Sequence, residues 1–322
     1  MKAIVQDRYG STDVLRFEDA PVPAAGDGEV LIRVHAAGVD QGVWHLMTGL
    51  PYLGRAAFGL RRPRMRIRGM DLAGRVEAVG PGVTRFRPGD EVFGSYAGAY
   101  AEYACGPQDR FAPKPARLTF EQAAAVPISA VTALQGLRDL GRVRPGQTVL
   151  VLGAAGGVGT FAVQLAKYLG AQVTAVCSGG KAELVRSLGA DAVIDYTRED
   201  ITDGGRCYDV ILDIAGNRPL RQLRRVLAPR GTLVIAGGEG GGRWLGGVDR
   251  QLRAQVLSAF TGQRLRGLMS RQRPDDLLLL RDLLESGDVT PVIDRTYPLS
   301  EVPEAIRYLR SGQARGKVVI TA

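Results

Sequence analysis

The stretch "GQTVLVLGAAGGVGTFAVQLAKYLGAQVTAVCSGG", Gly146–Gly180, decides the fold. Val149–Leu152 is a short, wholly apolar run, as expected of a strand buried on both faces of a parallel sheet. A glycine turn follows it. Val158, Phe161, Ala162, Leu165, Ala166 and Leu169 then recur at the spacing of one apolar helix face. "QVTAVC" (Gln172–Cys177) reads as the next strand. Strand, turn, helix and strand together make a βαβ unit.

The turn carries a dinucleotide fingerprint. The G-x-G-x-x-G positions are Ala154, Gly156 and Gly159, with Gly157 as an extra glycine. Alanine at the first position is a tolerated departure, because that position serves a tight turn. Gly156 has no side chain to obstruct a pyrophosphate, and Gly159 permits close helix–sheet packing. The helix N-terminus offers unpaired N–H groups and positive partial charge to phosphate oxygens. The motif alone is weak, but a strand before it and a helix after it make it specific. The turn Ala154, Ala155, Gly156, Gly157, Val158 and Gly159 is therefore expected to bind a dinucleotide.

The end of the second strand points to which dinucleotide. An NAD site usually places Asp or Glu about 20 residues beyond the fingerprint to bind the ribose hydroxyls. Here the sequence is "CSGGK", Cys177–Lys181, with no carboxylate to repel a 2′-phosphate. Ser178 offers a hydrogen bond and Lys181 a charge, both suited to phosphate, so NADPH is the expected cofactor. The alternative for Lys181 is a solvated residue in the first turn of a helix. Tyr196, ending "VIDY", is either at the edge of the same pocket or a half-buried strand-end residue.

Alternation continues outward from this unit. Lys181–Leu188 reads as a helix, "DAVIDY" and "YDVILDIAG" as strands, Pro219–Leu227 as a helix and "GTLVIAGG" as a strand. This is a doubly wound α/β domain. The first ~120 residues read instead as short strands punctuated by Pro and Gly, a compact barrel-like β domain; "EVLIRVHAAGV" (Glu29–Val39) and "GRVEAVG" (Gly74–Gly80) are examples. The tail, with a helix at Pro274–Ser286, a helix after Ser300 and a closing strand "GKVVIT", returns to that style. The α/β domain, residues 121–264, is expected to be inserted between residues 1–120 and 265–322 of the β domain.

Bulk properties narrow the class. Apolar residues make up 45% of the 322, enough for a real core. No run approaches the ~18 apolar residues of a membrane span, and "MKAIVQDRYG" is not a secretory signal. A soluble, cytoplasmic protein with no membrane partner is expected. Cys105, Cys177 and Cys207 are odd in number and contain no C-x-x-C, which argues against a disulfide framework or thiolate zinc site. Net charge is +9, from 42 basic and 33 acidic side chains. The densest basic cluster, "RRPRMRIR" at Arg61–Arg68, has no interleaved aromatics to stack bases, so it reads as a solvated loop, the alternative being that part of it faces an anionic ligand, and nucleic acid is not an expected partner.

With these motifs the chain resembles the medium-chain dehydrogenase/reductase superfamily, and within it the zinc-free quinone oxidoreductase branch. The resemblance rests on "HAAGVD" (35–40), "GMDLAGRVEAVG" (69–80), "RFRPGDEVFG" (85–94), "AAAVPISAVTALQGL" (123–137), "LGAAGGVG" (152–159), "LGADAVIDY" (188–196) and "ARGKVVIT" (314–321). It implies a GroES-like β-barrel domain with an inserted Rossmann domain, and commonly dimers or tetramers; a homodimer is expected. The long stretch "GLPYLGRAAFGLRRPRMRIRGMD" (49–71) resembles a subgroup labelled NAD(P)-dependent alcohol dehydrogenase-like or reticulon-interacting-protein-like, and is expected to shape the substrate entrance.

The resemblance also assigns roles. In zinc members the catalytic metal is held by Cys, His and Cys; the matching positions here are Asp40, Met70 and Ile128, which do not make the N/S tetrahedron zinc prefers. Without such a Lewis acid a plain ketone is a poor substrate, whereas a quinone or an α,β-unsaturated carbonyl delocalises the developing charge itself. Asp40 is implied near the nicotinamide ribose, Tyr52 at the substrate cleft and Thr132 near the nicotinamide; each is alternatively a turn, packing or helix-backbone residue. Gly237 and Gly238 either admit the nicotinamide side or mark a strand end. His35 reads as structural and His45 as a weaker proton-donor candidate. Asp71 stands where the zinc members' neighbouring acid does, with its role open.

The resulting expectation is a zinc-independent, NADPH-dependent oxidoreductase of a quinone or enone. Its rivals are a pathway-specific enoyl or enone reductase of secondary metabolism and a non-catalytic NADPH-binding or nucleic-acid-binding protein. A metal-dependent alcohol dehydrogenase is a further rival, against which Met70 and Ile128 argue.

Overall fold

The structure is a computed structural model that describes residues 1–238 and 242–322. It divides into two compact units, residues 1–131 with 272–322 and residues 132–271.

The first unit begins with an antiparallel ribbon, β1 (Lys2–Val5) against β2 (Arg16–Asp19). β3 (Glu29–Val39) runs into α1 (Gln41–Thr48) and a short α2 (Arg55–Phe58). Asp40 starts α1 by accepting from Val43 N at 3.3 Å, and Gly49, at φ 62°, ends it, each in its preferred capping role. β4 (Asp71–Val79), β5 (Glu91–Ser95), β6 (Tyr103–Pro107) and β7 (Phe111–Pro113) follow. Then come α3 (Phe120–Ala124) and α4 (Pro127–Leu134). Thr119 and Gln122 form a reciprocal capping box at the start of α3, which fixes where the helix begins.

The second unit is a six-stranded parallel sheet of β8 (Thr148–Leu152), β9 (Gln172–Cys177), β10 (Ala192–Asp195), β11 (Tyr208–Asp213), β12 (Leu227–Ile235) and β13 (Arg264–Gly267). Its spatial order, β10-β9-β8-β11-β12-β13, reverses direction at β8, the topology that places a dinucleotide at the strands' carboxyl ends. The helices are α5 (Gly157–Tyr168), α6 (Ala182–Ser187), α7 (Leu220–Arg225) and α8 (Val248–Ala259). The apolar face expected of α5 is buried, with Phe161, Ala162, Leu165 and Ala166 at 0% exposure, but Val163 is equally buried, so the burial extends beyond one face. A separate core of Leu150, Ile211, Leu233 and Leu265 with their neighbours holds this sheet to its helices.

The tail supplies α9 (Pro274–Ser286), β14 (Ile293–Pro298), α10 (Val302–Arg310) and β15 (Lys317–Thr321). β15 pairs antiparallel with β3, Val318 opposite Val39 and Thr321 opposite Ala36, which completes the sheet β14-β15-β3-β4-β5-β7 of the first unit. β6 pairs with the other half of β3. Tyr100, Phe111, Ile32, Leu72, Met47 and Val318 pack its core. The chain therefore leaves the β unit and returns to it, as an inserted domain requires.

The unit boundaries differ from those expected at 120/121 and 264/265. They fall at 131/132 and 271/272. α3 packs on β3 and β4, so Phe120–Ala124 belongs to the β unit. β13 pairs with β12, so Arg264–Gly267 belongs to the parallel sheet.

Candidate cofactor and substrate sites

The fingerprint turn is built by three glycines with separate tasks. Gly153 closes β8 at φ 82°, a conformation costly for any side chain, and the N–H groups of Gly153 and Ala154 both donate to Val176 O of β9, at 3.2 and 3.1 Å. The tight turn thus resides at Gly153, which is why Ala154, fully buried, is acceptable at the first fingerprint position. A β-carbon on Gly159 would lie 2.1 Å from Gly153 O, so this glycine is demanded by packing. Gly156 differs: a β-carbon there would meet only Gly153 O at 3.5 Å. It opens α5 with no side-chain cap, leaving first-turn amides available to an anion. The space a side chain would fill at Gly156 is the cradle that the dinucleotide reading requires.

At the end of β9, Ser178 leads into a tight turn, Gly179–Lys181, whose Lys181 N donates to Ser178 O at 2.9 Å. One feature here was missed in the sequence. Asp195, at the end of β10, reaches this turn: a β-carbon on Gly179 would lie 2.4 Å from Asp195 Oδ2. Asp195 Oδ1 accepts from Thr197 N (3.0 Å) and Oγ1 (2.7 Å), and its carboxyl is held below the usual range first by the Thr197 hydroxyl, then by Thr197 and Gly179 amides. The turn is thus not carboxylate-free, although Asp195 is engaged by its own loop. Tyr196 donates its N–H to Cys177 O at 3.1 Å, with its ring 56% exposed rather than half-buried at the strand end.

At the ends of β11 and β12 the backbones touch. A β-carbon on Gly237 would lie 1.8 Å from Ile214 O, and one on Gly238 would lie 2.8 Å from Gly247 Cα. Both glycines are therefore required by contacts within the protein. Beside them is a buried ion pair that the sequence reading did not single out. Asp213 Oδ2 is 2.5 Å from Arg250 Nη2, and Asp213 Oδ1 accepts from Gly216 N at 2.9 Å. The acid before "IAG" at a strand end was the available signal; its partner on α8 had none. Thr132 Oγ1 donates to Ser270 Oγ at 3.1 Å, so it has a side-chain partner.

In the β unit, the positions matched to zinc ligands converge on Asp71. Asp71 Oδ1 accepts from Ile128 N at 3.1 Å, and Oδ2 lies 3.5 Å from Lys317 Nζ, with Asp71 wholly buried and Lys317 nearly so. Lys317 Nζ also donates to Ser129 Oγ at 3.2 Å. Burial pushes the Asp71 carboxyl up to about 7; Lys317 pulls against this and nearby Asp40 adds to it. Asp40 spends Oδ1 on capping α1, while its buried Oδ2 has no hydrogen-bond partner among the described residues. With Asp40, a thioether at Met70 and an alkyl chain at Ile128, the donor set does not fit zinc. Among the described residues no group of three or more His, Cys, Asp and Glu is arranged to hold a metal.

The remaining candidates have partners within the β unit. Tyr52 opens a short turn after the cis Leu50–Pro51 bond, and the Arg55 guanidinium lies 4.7 Å over its ring. His45 Nδ1 is 2.9 Å from Leu50 O. His35 stacks on Phe120 at 4.3 Å, and burial, foremost, lowers its pKa.

Known proteins are similar to this chain over nearly all of its length. Residues 26–116 match the alcohol dehydrogenase GroES-like domain, and residues 188–320 match a family described as zinc-binding dehydrogenase. A mouse mitochondrial NAD(P)H oxidoreductase, RTN4IP1, is 34% identical over 99% of this chain and 89% of its own. The 2-methylene-furan-3-one reductase of Solanum lycopersicum is 35% identical over 99% of this chain and 79% of its own. The quinone oxidoreductase of Coxiella burnetii superposes with TM-score 0.88 at 29% identity, covering 100% of this chain and 99% of that one.

Proposed function

This chain belongs to the medium-chain dehydrogenase/reductase superfamily, in its quinone oxidoreductase branch, as an NAD(P)H oxidoreductase, and on that premise we propose that it is a zinc-independent, NADPH-dependent reductase of a quinone or an α,β-unsaturated carbonyl. One observation carries the reading: the positions matched to the zinc ligands hold Asp40, Met70 and Ile128, which do not suit zinc, and the neighbouring acid Asp71 is engaged by Lys317 and Ile128 N. An acceptor that spreads its own negative charge needs no Lewis acid; it needs positioning, exclusion of water and a few hydrogen bonds.

The dinucleotide lies along Ala154, Ala155, Gly156, Gly157, Val158 and Gly159, with its 2′-phosphate toward Ser178 and Lys181 and beside Tyr196. Thr132, Gly237 and Gly238 border its nicotinamide end. When bound, NADPH supplies the hydride. By the family resemblance, Asp40 is the residue toward the ribose and Tyr52 the one toward the acceptor. The names of the tomato and Coxiella relatives, a furanone reductase and a quinone oxidoreductase, support a conjugated acceptor. The protein acts as a homodimer, a reading supported by the outer edge of β13 and by the exposed Leu252 and Val256 on α8 with Phe260 just past its end.

The test is loss of NADPH absorbance with a panel of quinones, enones and plain ketones, alongside metal analysis of the purified protein. Turnover of conjugated acceptors, and not of ketones, is expected. Stoichiometric zinc with chelator-sensitive ketone reduction overturns the zinc-independent reading, and a clear preference for NADH overturns the assignment of Ser178 and Lys181.

A further inference from the structure

From Gln41 to Met70 the chain contains no Asp or Glu, yet it carries Arg55, Arg61, Arg62, Arg64, Arg66 and Arg68. Three of these are committed. Arg66 pairs with Asp7 at 2.7 Å, and Arg55 lies over the Tyr9 ring at 4.4 Å and donates to Gly49 O. Arg68 is buried and donates to Leu46 O. Arg61, Arg62 and Arg64 are exposed and make no ion pair or side-chain hydrogen bond among the described residues.

These three sit on a closed loop. Arg64 N donates to Phe58 O at 2.9 Å, and Tyr9 Oη donates to Gly59 O at 2.6 Å. Gly59, at φ 119°, comes so near Arg62 that a β-carbon would lie 2.1 Å from Arg62 O. Leu60, Arg61 and Arg62 therefore form the tip of a pinned loop. Leu60 is 73% exposed, and Leu53, Phe58 and Met65 around it are 55%, 46% and 50% exposed. Large apolar side chains this exposed, set among unpaired guanidiniums, make a surface that water alone does not suit.

We propose that the loop Leu53–Met65 docks the protein reversibly on an anionic phospholipid surface. Leu60 and its apolar neighbours enter the boundary between headgroups and acyl chains, and Arg61, Arg62 and Arg64 pair with lipid phosphates. No membrane-spanning helix occurs among the described residues, and a surface contact needs none; the expectation of no membrane partner rested on spans alone. A bare nucleic-acid backbone would satisfy the arginines but leave Leu60 facing phosphates. Resting on the proposed quinone reading, such docking brings the protein to the phase where a lipophilic quinone resides.

The test is co-sedimentation of the full chain with phosphatidylcholine vesicles, with and without phosphatidylglycerol. Retention only on the anionic vesicles, lost at high salt, is expected. Arg61→Glu/Arg62→Glu/Arg64→Glu reduces retention by about a hundredfold. Leu60→Ser, which keeps the charge, reduces it several-fold with an unchanged melting temperature. The proposal is overturned by equal retention on neutral vesicles, by no retention at all, or by an L60S protein that binds as well as the parent. Binding to a single-stranded RNA that excludes vesicle binding also overturns it. The assay needs no turnover, so vesicle retention without NADPH oxidation sinks the quinone reading and leaves the docking intact.

Discussion

Lys317 Nζ lies 3.5 Å from Asp71 Oδ2 in the interior of the β unit, joining its last strand to the start of β4. Cutting one side of a buried pair leaves the other without a counter-charge. Lys317→Met is expected to destabilise the protein by roughly 3 kcal/mol at pH 8, where Asp71 must ionise alone or take up a proton. At pH 5 the carboxyl is protonated in both proteins and the loss shrinks toward about 1 kcal/mol, the value of the Ser129 hydrogen bond. Urea unfolding at the two pH values checks this, and equal losses would refute it.

Asp71 itself makes stability depend on pH. Its carboxyl is raised from 3.8 to about 7 in the folded protein, so between those values the folded state binds a proton that the unfolded state does not. That contribution is complete below pH 3.8 and is lost as pH rises through about 7, at no more than about 1.4 kcal/mol per pH unit. Asp71→Asn removes the slope. Melting curves of the variant should be flatter than the parent's across this window, and the variant should gain on the parent as pH rises.

Gly156 and Gly159 separate ligand approach from packing. Gly159→Ala drives a β-carbon against Gly153 O and should cost about 1–3 kcal/mol of stability. Gly156→Ala adds the same atom at an ordinary van der Waals distance, 3.5 Å from Gly153 O, and should leave stability within about 0.5 kcal/mol. It should nonetheless weaken NADPH binding by about tenfold or more, measured by fluorescence titration. Unaltered NADPH affinity in Gly156→Ala would remove the cradle.

On the proposed reading, Lys181 and Ser178 carry the choice between cofactors. Lys181→Ala should raise the KM for NADPH about tenfold, the value of a charge-assisted hydrogen bond, and change that for NADH little. Asp195→Asn should move the ratio the other way, because the acid that reaches this turn repels a phosphate. Parallel kinetics with both cofactors decide it; equal effects on NADH and NADPH would show that the turn does not read the 2′-phosphate.

The doubly wound parallel sheet and the inserted unit were legible because buried parallel strands and amphipathic helices leave apolar runs and a 3.6-residue period in the sequence. β13 was not. Arg264 and Arg266 are exposed around a single buried Leu265, and an edge strand this short and charged resembles a loop. The glycines of the fingerprint turn were legible because backbone geometry imposes its residue type locally. The pairs Asp71–Lys317 and Asp213–Arg250 were not, since each joins segments far apart in the chain and neither partner marks the other. Asp195 was read only as part of its own strand; its approach to Gly179 follows from the parallel pairing of β10 with β9.

The turn after β8 has a consequence for reading other chains. Gly153, Gly156 and Gly159 recur every third residue, one for backbone handedness, one for access and one for contact. Ala154 and Ala155 between them are small and buried, whereas losing or gaining a single residue within Gly153–Gly159 takes a glycine off its task. A sequence should therefore be aligned here from the last residue of the strand forward, and a relative lacking the textual pattern at Ala154 keeps the same turn as long as that three-residue rhythm survives.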